Sequence, residues 1–291
     1  MITTEIKFKI KEALENRLSH YQSANKMAVA YGINPAQLSR FLKGEVDNVI
    51  SDTILIGIAR KLDVQLNPAQ EWKTAETPVY AYIYTQLKAC KDDALSGLLC
   101  DLADIGKTHT AKCFAKMNKN TVYIDCSQVK SRQKLIRQMA KELGLGCNGR
   151  YSDVYGDLVF YLRSIPNPLI ILDEAGDLDY PAFLELKALW NATEGCCGWF
   201  MMGADGLKAK IESNLGRKKI GYTEIFSRFG AAYQKIVPDG KEASLEFINM
   251  QIALIAKINN KNADIKKVIA RANGSLRRVK IELQKQKARL K

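Results

Sequence analysis

A chain of 291 residues with 44 Lys or Arg against 31 Asp or Glu carries a formal net charge of +13, and 47% of it is hydrophobic. That balance excludes an apolar-poor disordered chain, and the length suffices for one large or two ordinary domains. No apolar run approaches the ~18 residues of a membrane span, the opening Met1–Arg17 has no signal core, and the Cys form no CxxC pair. A cytoplasmic protein with reduced thiols, no membrane segment and no zinc ribbon is therefore expected. The two His, His20 and His109, lie too far apart to suggest a metal pair.

From Thr3 to about Lys73 the spacing predicts short helices. Ile6, Ile10, Ala13, Leu14 and Leu18 fall on one helical face, and a second helix runs from about Asn25 to Tyr31 before Gly32 interrupts it. In NPAQLSRFLKG, Asn34 suits a cap, Pro35 the first helical position and Gly44 the end, and a fourth helix spans about Asp52 to Leu62. Ala28, Ile33, Leu38 and Leu42 would pack between helices, while Gln37, Ser39, Arg40 and Lys43 point outward. The segments MAVAYGI, NPAQLSRFLKGE and DTILIGIARKL resemble a Cro/repressor helix-turn-helix. Gln and Arg suit base edges, and Ser and Lys suit phosphates. Residues 1–72 hold nine Lys or Arg against eight acids, a balance that fits weak or non-specific DNA contact; a helical bundle for protein contact is the alternative. The polar stretch Asn67–Pro78, with its two prolines, marks a domain boundary.

After that boundary ALSGLLC, TVYIDC, PLIILD and GWFMMG read as buried strands alternating with helices, which predicts an α/β domain over 79–238 with a parallel sheet flanked by helices. From about Lys241 no strand candidate occurs, so residues 239–291 form a helical subdomain. Between Lys257 and Lys291 twelve Lys or Arg face two acids, a surplus of +10 that suits either a solvated helix face or a nucleic-acid contact.

The first strand leads into DLADIGKTHTAKCFAKM, a strand, loop and helix with Gly106, Lys107 and Thr108 at the turn. In that context backbone N–H groups and a helix N-terminus face phosphates, Lys107 reaches the terminal ones and Thr108 holds Mg2+. The pattern GxxxxGK[ST] has Gly where this chain has Asp101, and the form GxPGxGKT also has Gly where it has Asp104. Each acid adds a carboxylate near a polyphosphate, which lowers the expected affinity. In PLIILDEAGDLD a buried strand ends in Asp173, suited to the Mg2+ water shell, and Glu174, suited to polarising a water. Arg228 in EIFSRFG suits a finger reaching a neighbouring subunit's phosphate, and Arg277 in NGSLRRVK suits a contact from its own chain; surface ion pairs are the plain alternative for both.

Taken in order, DLADIGKT, IILDE, GWFMMG, the FSRF arginine and the GSLRR helix resemble an AAA+ ATPase, and within that superfamily the transposition ATPases typified by the B protein of phage Mu and the related IstB and TnsC regulators. The resemblance implies ATP and Mg2+ as cofactors, with Asp104, Ile105, Gly106, Lys107, Thr108, His109, Asp173 and Arg277 around the nucleotide. It implies Glu174, Arg228 and Lys107 in catalysis, and assembly as a homo-oligomer on double-stranded DNA that selects target DNA and stimulates a transposase. It nominates Lys130, Arg132 and Lys134 as DNA-facing residues, which also suit a solvated helix face. The polar sensor of the γ-phosphate expected after GWFMMG is replaced by Gly203 and Ala204. Two alternatives stay open: a repressor-like protein whose ATPase module serves only oligomerisation, and a helicase loader or initiator of the same superfamily.

Overall fold

The computed structural model describes residues 2–62, 64, 66 and 72–289. Four helices open the chain: α1 (Thr4–Leu18), α2 (Ala24–Tyr31), α3 (Pro35–Leu42) and α4 (Asp52–Lys61). Each begins where a small polar side chain accepts an otherwise orphaned backbone N–H, from Thr3, Ser23, Asn34 and Ser51 respectively. Gly32 ends α2 at φ 69°, a left-handed turn that directs α3 back across α2. Ile10, Leu14, Met27, Leu38, Phe41, Leu55 and Ile58 close a core between the helices. Phe41, fully buried, belongs to that core, and Leu42 packs half-buried against it.

Of the segment read as a boundary, Asn67–Glu71 lies outside the described residues. Thr77 caps α5 (Pro78–Asp92), with Pro78 in its first turn. The α/β region then runs β1 (Ser96–Cys100), α6 (Lys107–Met117), β2 (Thr121–Asp125), α7 (Arg132–Glu142), α8 (Tyr151–Ser164), β3 (Leu169–Asp173), a short 3-10 turn (Ala175–Asp177), α9 (Tyr180–Ala192), β4 (Gly198–Gly203), α10 (Asp205–Gly216) and α11 (Tyr222–Arg228). The four strands pair in parallel in the order β1-β4-β3-β2. β3 and β4 are buried along their whole length, as the apolar runs before Asp173 and through β4 require of strands covered on both faces.

One ladder contact was not legible as a strand. Gln234 donates its N–H to Leu98 at 2.8 Å and accepts from Cys100 at 3.1 Å, so a short parallel bridge covers the free edge of β1. The chain ends in α12 (Lys241–Asn259), α13 (Ile265–Ala272) and α14 (Leu276–Arg289), which share a small core of Ile252, Ala256, Val268, Ala272, Val279 and Leu283. Trp72 packs against this core, and the Asn259 side chain pairs with the backbone of Lys73 at 2.8 and 3.0 Å, tying the segment before α5 to α12. Among the described residues no helix is long and apolar enough to cross a membrane.

Candidate functional site

Parallel strands of an open sheet end at one edge, and the connections there form the natural ligand crevice. Here β1 runs into the loop 101–106 and α6, while β3 ends beside it in Asp173 and Glu174. Gly106 immediately precedes α6 at φ 102°, a backbone conformation that favours glycine, and no side chain caps the helix, so its first N–H groups face the crevice. A cleft of about 1180 Å3 runs along α6 from this loop to Arg17, Tyr21 and Glu142, and Asp104, Ile105, Gly106, Lys107, Thr108, His109, Glu174 and Arg277 line its near end.

Lys107 is buried, and its Nζ donates to the carbonyls of Asp101 at 2.9 Å and Leu102 at 2.6 Å. Burial pulls its ammonium below the usual lysine range, and the carboxylates of Asp101, Glu174 and Asp173 counter that shift. Thr108 Oγ1 donates to Asp173 Oδ2 at 2.7 Å, so the two side chains read as a metal pair already touch. Tyr123 Oη donates to the same oxygen at 2.8 Å, and the Glu174 N–H donates to Asp173 Oδ1 at 3.0 Å. Glu174 itself adopts φ 50° and ψ 40°, left-handed for a residue with a Cβ. Burial first, and then the Asp173 charge, raise its carboxyl above the usual range.

The two acids that replace glycines behave differently from the sequence expectation of carboxylates beside a polyphosphate. Asp101 is buried, and its Oδ2 accepts the N–H groups of Ile236 at 2.6 Å and Val237 at 2.9 Å while Oδ1 accepts that of Leu102 at 2.7 Å. It ties β1 to the segment beside its edge, and its charge is spent on backbone donors. Asp104 adopts φ 63°, and its carboxylate takes Arg277 Nε at 3.0 Å and the Ser275 hydroxyl. Arg277 is therefore brought to the loop from the C-terminal helices.

His109 Nε2 stands 3.0 Å from Thr74 Oγ1 and 3.6 Å from Cys113 Sγ, and Ile105 packs in the core beneath the loop. Arg228, at the end of α11, donates through Nε to Asn191 at 2.7 Å, and its guanidinium lies 5.3 Å from the Trp190 ring; it does not line the cleft. After β4, Leu207 lies 2.8 Å from where a Cβ on Gly203 would stand, so a larger residue at that position would require Leu207 to shift.

Gln37, Ser39, Arg40 and Lys43 are exposed on or beside α3. Gln37 donates to the Val49 carbonyl at 2.8 Å and Arg40 pairs with Glu45 at 2.7 Å. Lys130, Arg132 and Lys134 are likewise exposed; Lys130 pairs with Asp177 at 3.3 Å, and Arg132 lies 5.1 Å from the Tyr151 ring. Sequence reasoning missed Tyr123, Ser275 and Thr74. The one available sign was a lone phenolic oxygen in the apolar run TVYID, which must find a partner once its strand is buried.

The N-terminal helices meet the α/β region at the opposite end of α6. Arg17 donates to the carbonyls of Ala115 and Lys116, and stands 3.0 Å from His20 Nδ1. Lys26 Nζ lies 3.8 Å from the Tyr161 ring centroid, and a Cβ on Gly144, at φ 73°, would come within 2.2 Å of the Lys26 carbonyl.

Residues 90–211 match the family model described as AAA domain. Over 225 residues the chain is 24% identical to the Mu-like prophage FluMu DNA transposition protein B of Haemophilus influenzae, a match that covers 74% of this chain and 77% of that protein. Among solved structures it is similar in fold to the Aeropyrum pernix Orc1 protein in complex with DNA, with a TM-score of 0.52 and 16% identity. That match covers 72% of this chain and 58% of the other, so the chain spans little more than half the length of that structure.

Proposed function

We propose, with the AAA-domain match at residues 90–211 as the premise, that the chain binds and hydrolyses ATP to regulate DNA transposition, assembling as a homo-oligomer on double-stranded DNA and engaging a transposase. The observation that carries the nucleotide site is the contact of Thr108 with Asp173 at 2.7 Å beside Lys107, under an uncapped helix start. A hydroxyl and a carboxylate on one edge and an amine within the loop form the donor set that Mg2+ and a triphosphate need, so the residues fit both. Lys107 leaves its two loop carbonyls to hold phosphate oxygens. Thr108 and Asp173 would hold Mg2+, which would supply positive charge against the phosphates. Tyr123 keeps the Asp173 carboxylate turned to that edge.

Glu174 acts as the base that orients the attacking water, and burial with the Asp173 charge, which raise its carboxyl above the usual range, make it a stronger proton acceptor than an ordinary glutamate. Arg228, turned away from its own cleft, acts on the nucleotide of a neighbouring copy, and Arg277 acts within its own chain. The transposition role is supported by the likeness to DNA transposition protein B. Gln37, Ser39, Arg40, Lys43, Lys130, Arg132 and Lys134 then contact DNA, joined by the basic C-terminal helices. The decisive test is ATP turnover with and without duplex DNA. Glu174→Gln should lower it by about 10²-fold or more while nucleotide binding persists, and an unchanged rate removes the catalytic assignment. Electron micrographs with duplex DNA, in ATP and in ADP, test assembly.

A second reading is a DNA-binding protein whose nucleotide module only gates oligomerisation. Gly203 and Ala204 stand where a polar sensor is expected, and Leu207 crowds the first of them, which favours it. Nucleotide-dependent assembly without turnover would select it.

A further inference from the structure

We propose that Asp104 is a positioning residue for Arg277: its carboxylate fixes the start of α14 over the phosphate loop and presents the arginine's outer edge to the cleft. This rests on the nucleotide reading of the site. Asp104 holds a left-handed φ of 63°, which Asp tolerates better than most residues, and each carboxylate oxygen has its own partner. Oδ1 takes Arg277 Nε at 3.0 Å, and Oδ2 takes the Ser275 hydroxyl. Ser275 Oγ in turn accepts the Arg278 N–H at 3.4 Å, so the contact also secures the first turn of α14. Beside it the Leu276 side chain lies 3.7 Å from where a Cβ on Gly106 would stand, an apolar contact on the same loop.

A guanidinium has five donors in a planar fork. With Nε engaged on Asp104, the terminal Nη1 and Nη2 are left for an anion, and Arg277 lines the cleft. The acid and the arginine neutralise one another, so the loop offers a triphosphate a seated cation in place of a bare carboxylate. On this geometry Asp104 aids the binding of a terminal phosphate, the reverse of the expectation from its charge alone.

The test uses the full chain with Mg2+ and fluorescent analogues of ATP and ADP. Gly at this position keeps the backbone angle and removes the carboxylate, while Asn keeps both shape and angle. Asp104→Gly should weaken ATP about fivefold, the scale of an exposed ion pair, and leave ADP nearly unchanged, with Asp104→Asn in between. Combined with Arg277→Ala it should add no further loss. Tighter ATP binding in Asp104→Gly, an equal loss for ATP and ADP, or an additive double variant overturns the proposal. Should the wild-type chain bind neither analogue, the nucleotide reading fails by itself, and amide exchange of α14 still decides on Asp104. Faster exchange over Arg277–Ile281 in Asp104→Gly supports the contact, and unchanged exchange rejects it.

Discussion

The two helical regions hold α6 by opposite ends and do so with different resources. At its end the N-terminal helices insert Arg17 onto the carbonyls of Ala115 and Lys116; at its start Ser275, Leu276 and Arg277 of the C-terminal helices rest on Asp104 and Gly106. Among the described residues the N-terminal region closes on fourteen buried residues and the C-terminal region on six. At about 1.5–3 kcal/mol for each large aliphatic side chain buried, the first draws more stability from its own core and the second leans more on its neighbours. The difference teaches that the thinly cored region packs on the loop before α6, whereas the well-cored one packs on the far end of that helix.

Removing the N-terminal core is the most forceful way to break this contrast. Phe41→Ala should cost about 3–5 kcal/mol and should separate an early N-terminal transition from that of the α/β region in urea unfolding. One coincident transition, shifted as a whole, would show that the N-terminal core has no independence. At the near end of α6, Lys107→Ala should weaken nucleotide about a hundredfold, or about 2.7 kcal/mol, without moving the N-terminal transition. Titration calorimetry and the same unfolding curves check both halves of that statement.

A subtler probe is Arg17→Ala, which strips two charge-assisted hydrogen bonds from the end of α6 and should cost about 1–2 kcal/mol of stability. Amide exchange should quicken over Asn118–Asn120 while nucleotide affinity holds. For the basic C-terminal helices, Lys285→Gln with Lys287→Gln should reduce the salt slope of DNA binding by up to about 0.9 for each phosphate that the variant no longer neutralises. A slope equal to that of the wild type places the DNA interface elsewhere.

The smallest effect concerns pH at the far end of α6. Burial, and then the Arg17 charge, lower the His20 pKa from 6.5 to about 4. Unfolded chains therefore take up a proton that the folded state refuses between those values. The N-terminal region should lose stability as pH falls from 6.5 towards 4 and keep it in full above 6.5. Melting temperatures across that range, compared with those of His20→Gln, should show the variant losing less.

Much of the architecture could be read from local chemistry. The cap at Asn34, the break at Gly32 and four short apolar runs located helices and strands near their observed limits. The bridge at Gln234 could not be read, because one ladder contact leaves no alternation in sequence. The same holds for the site. Lys107, Thr108, Asp173 and Glu174 stood out because strand ends and a glycine turn demand particular residues at fixed spacing, whereas Tyr123 and Ser275 became visible only through their partners.

What the chain's order of residues determined is the parallel sheet, the helices around it and the loop with an amine and a hydroxyl at its end, since these follow from short-range periodicity and backbone constraints. What only the tertiary structure decided is the work of the acids at 101 and 104. A carboxylate's effect depends on which donors surround it, and here those donors arrive from residues 236–237 and 275–277, more than a hundred positions along the chain.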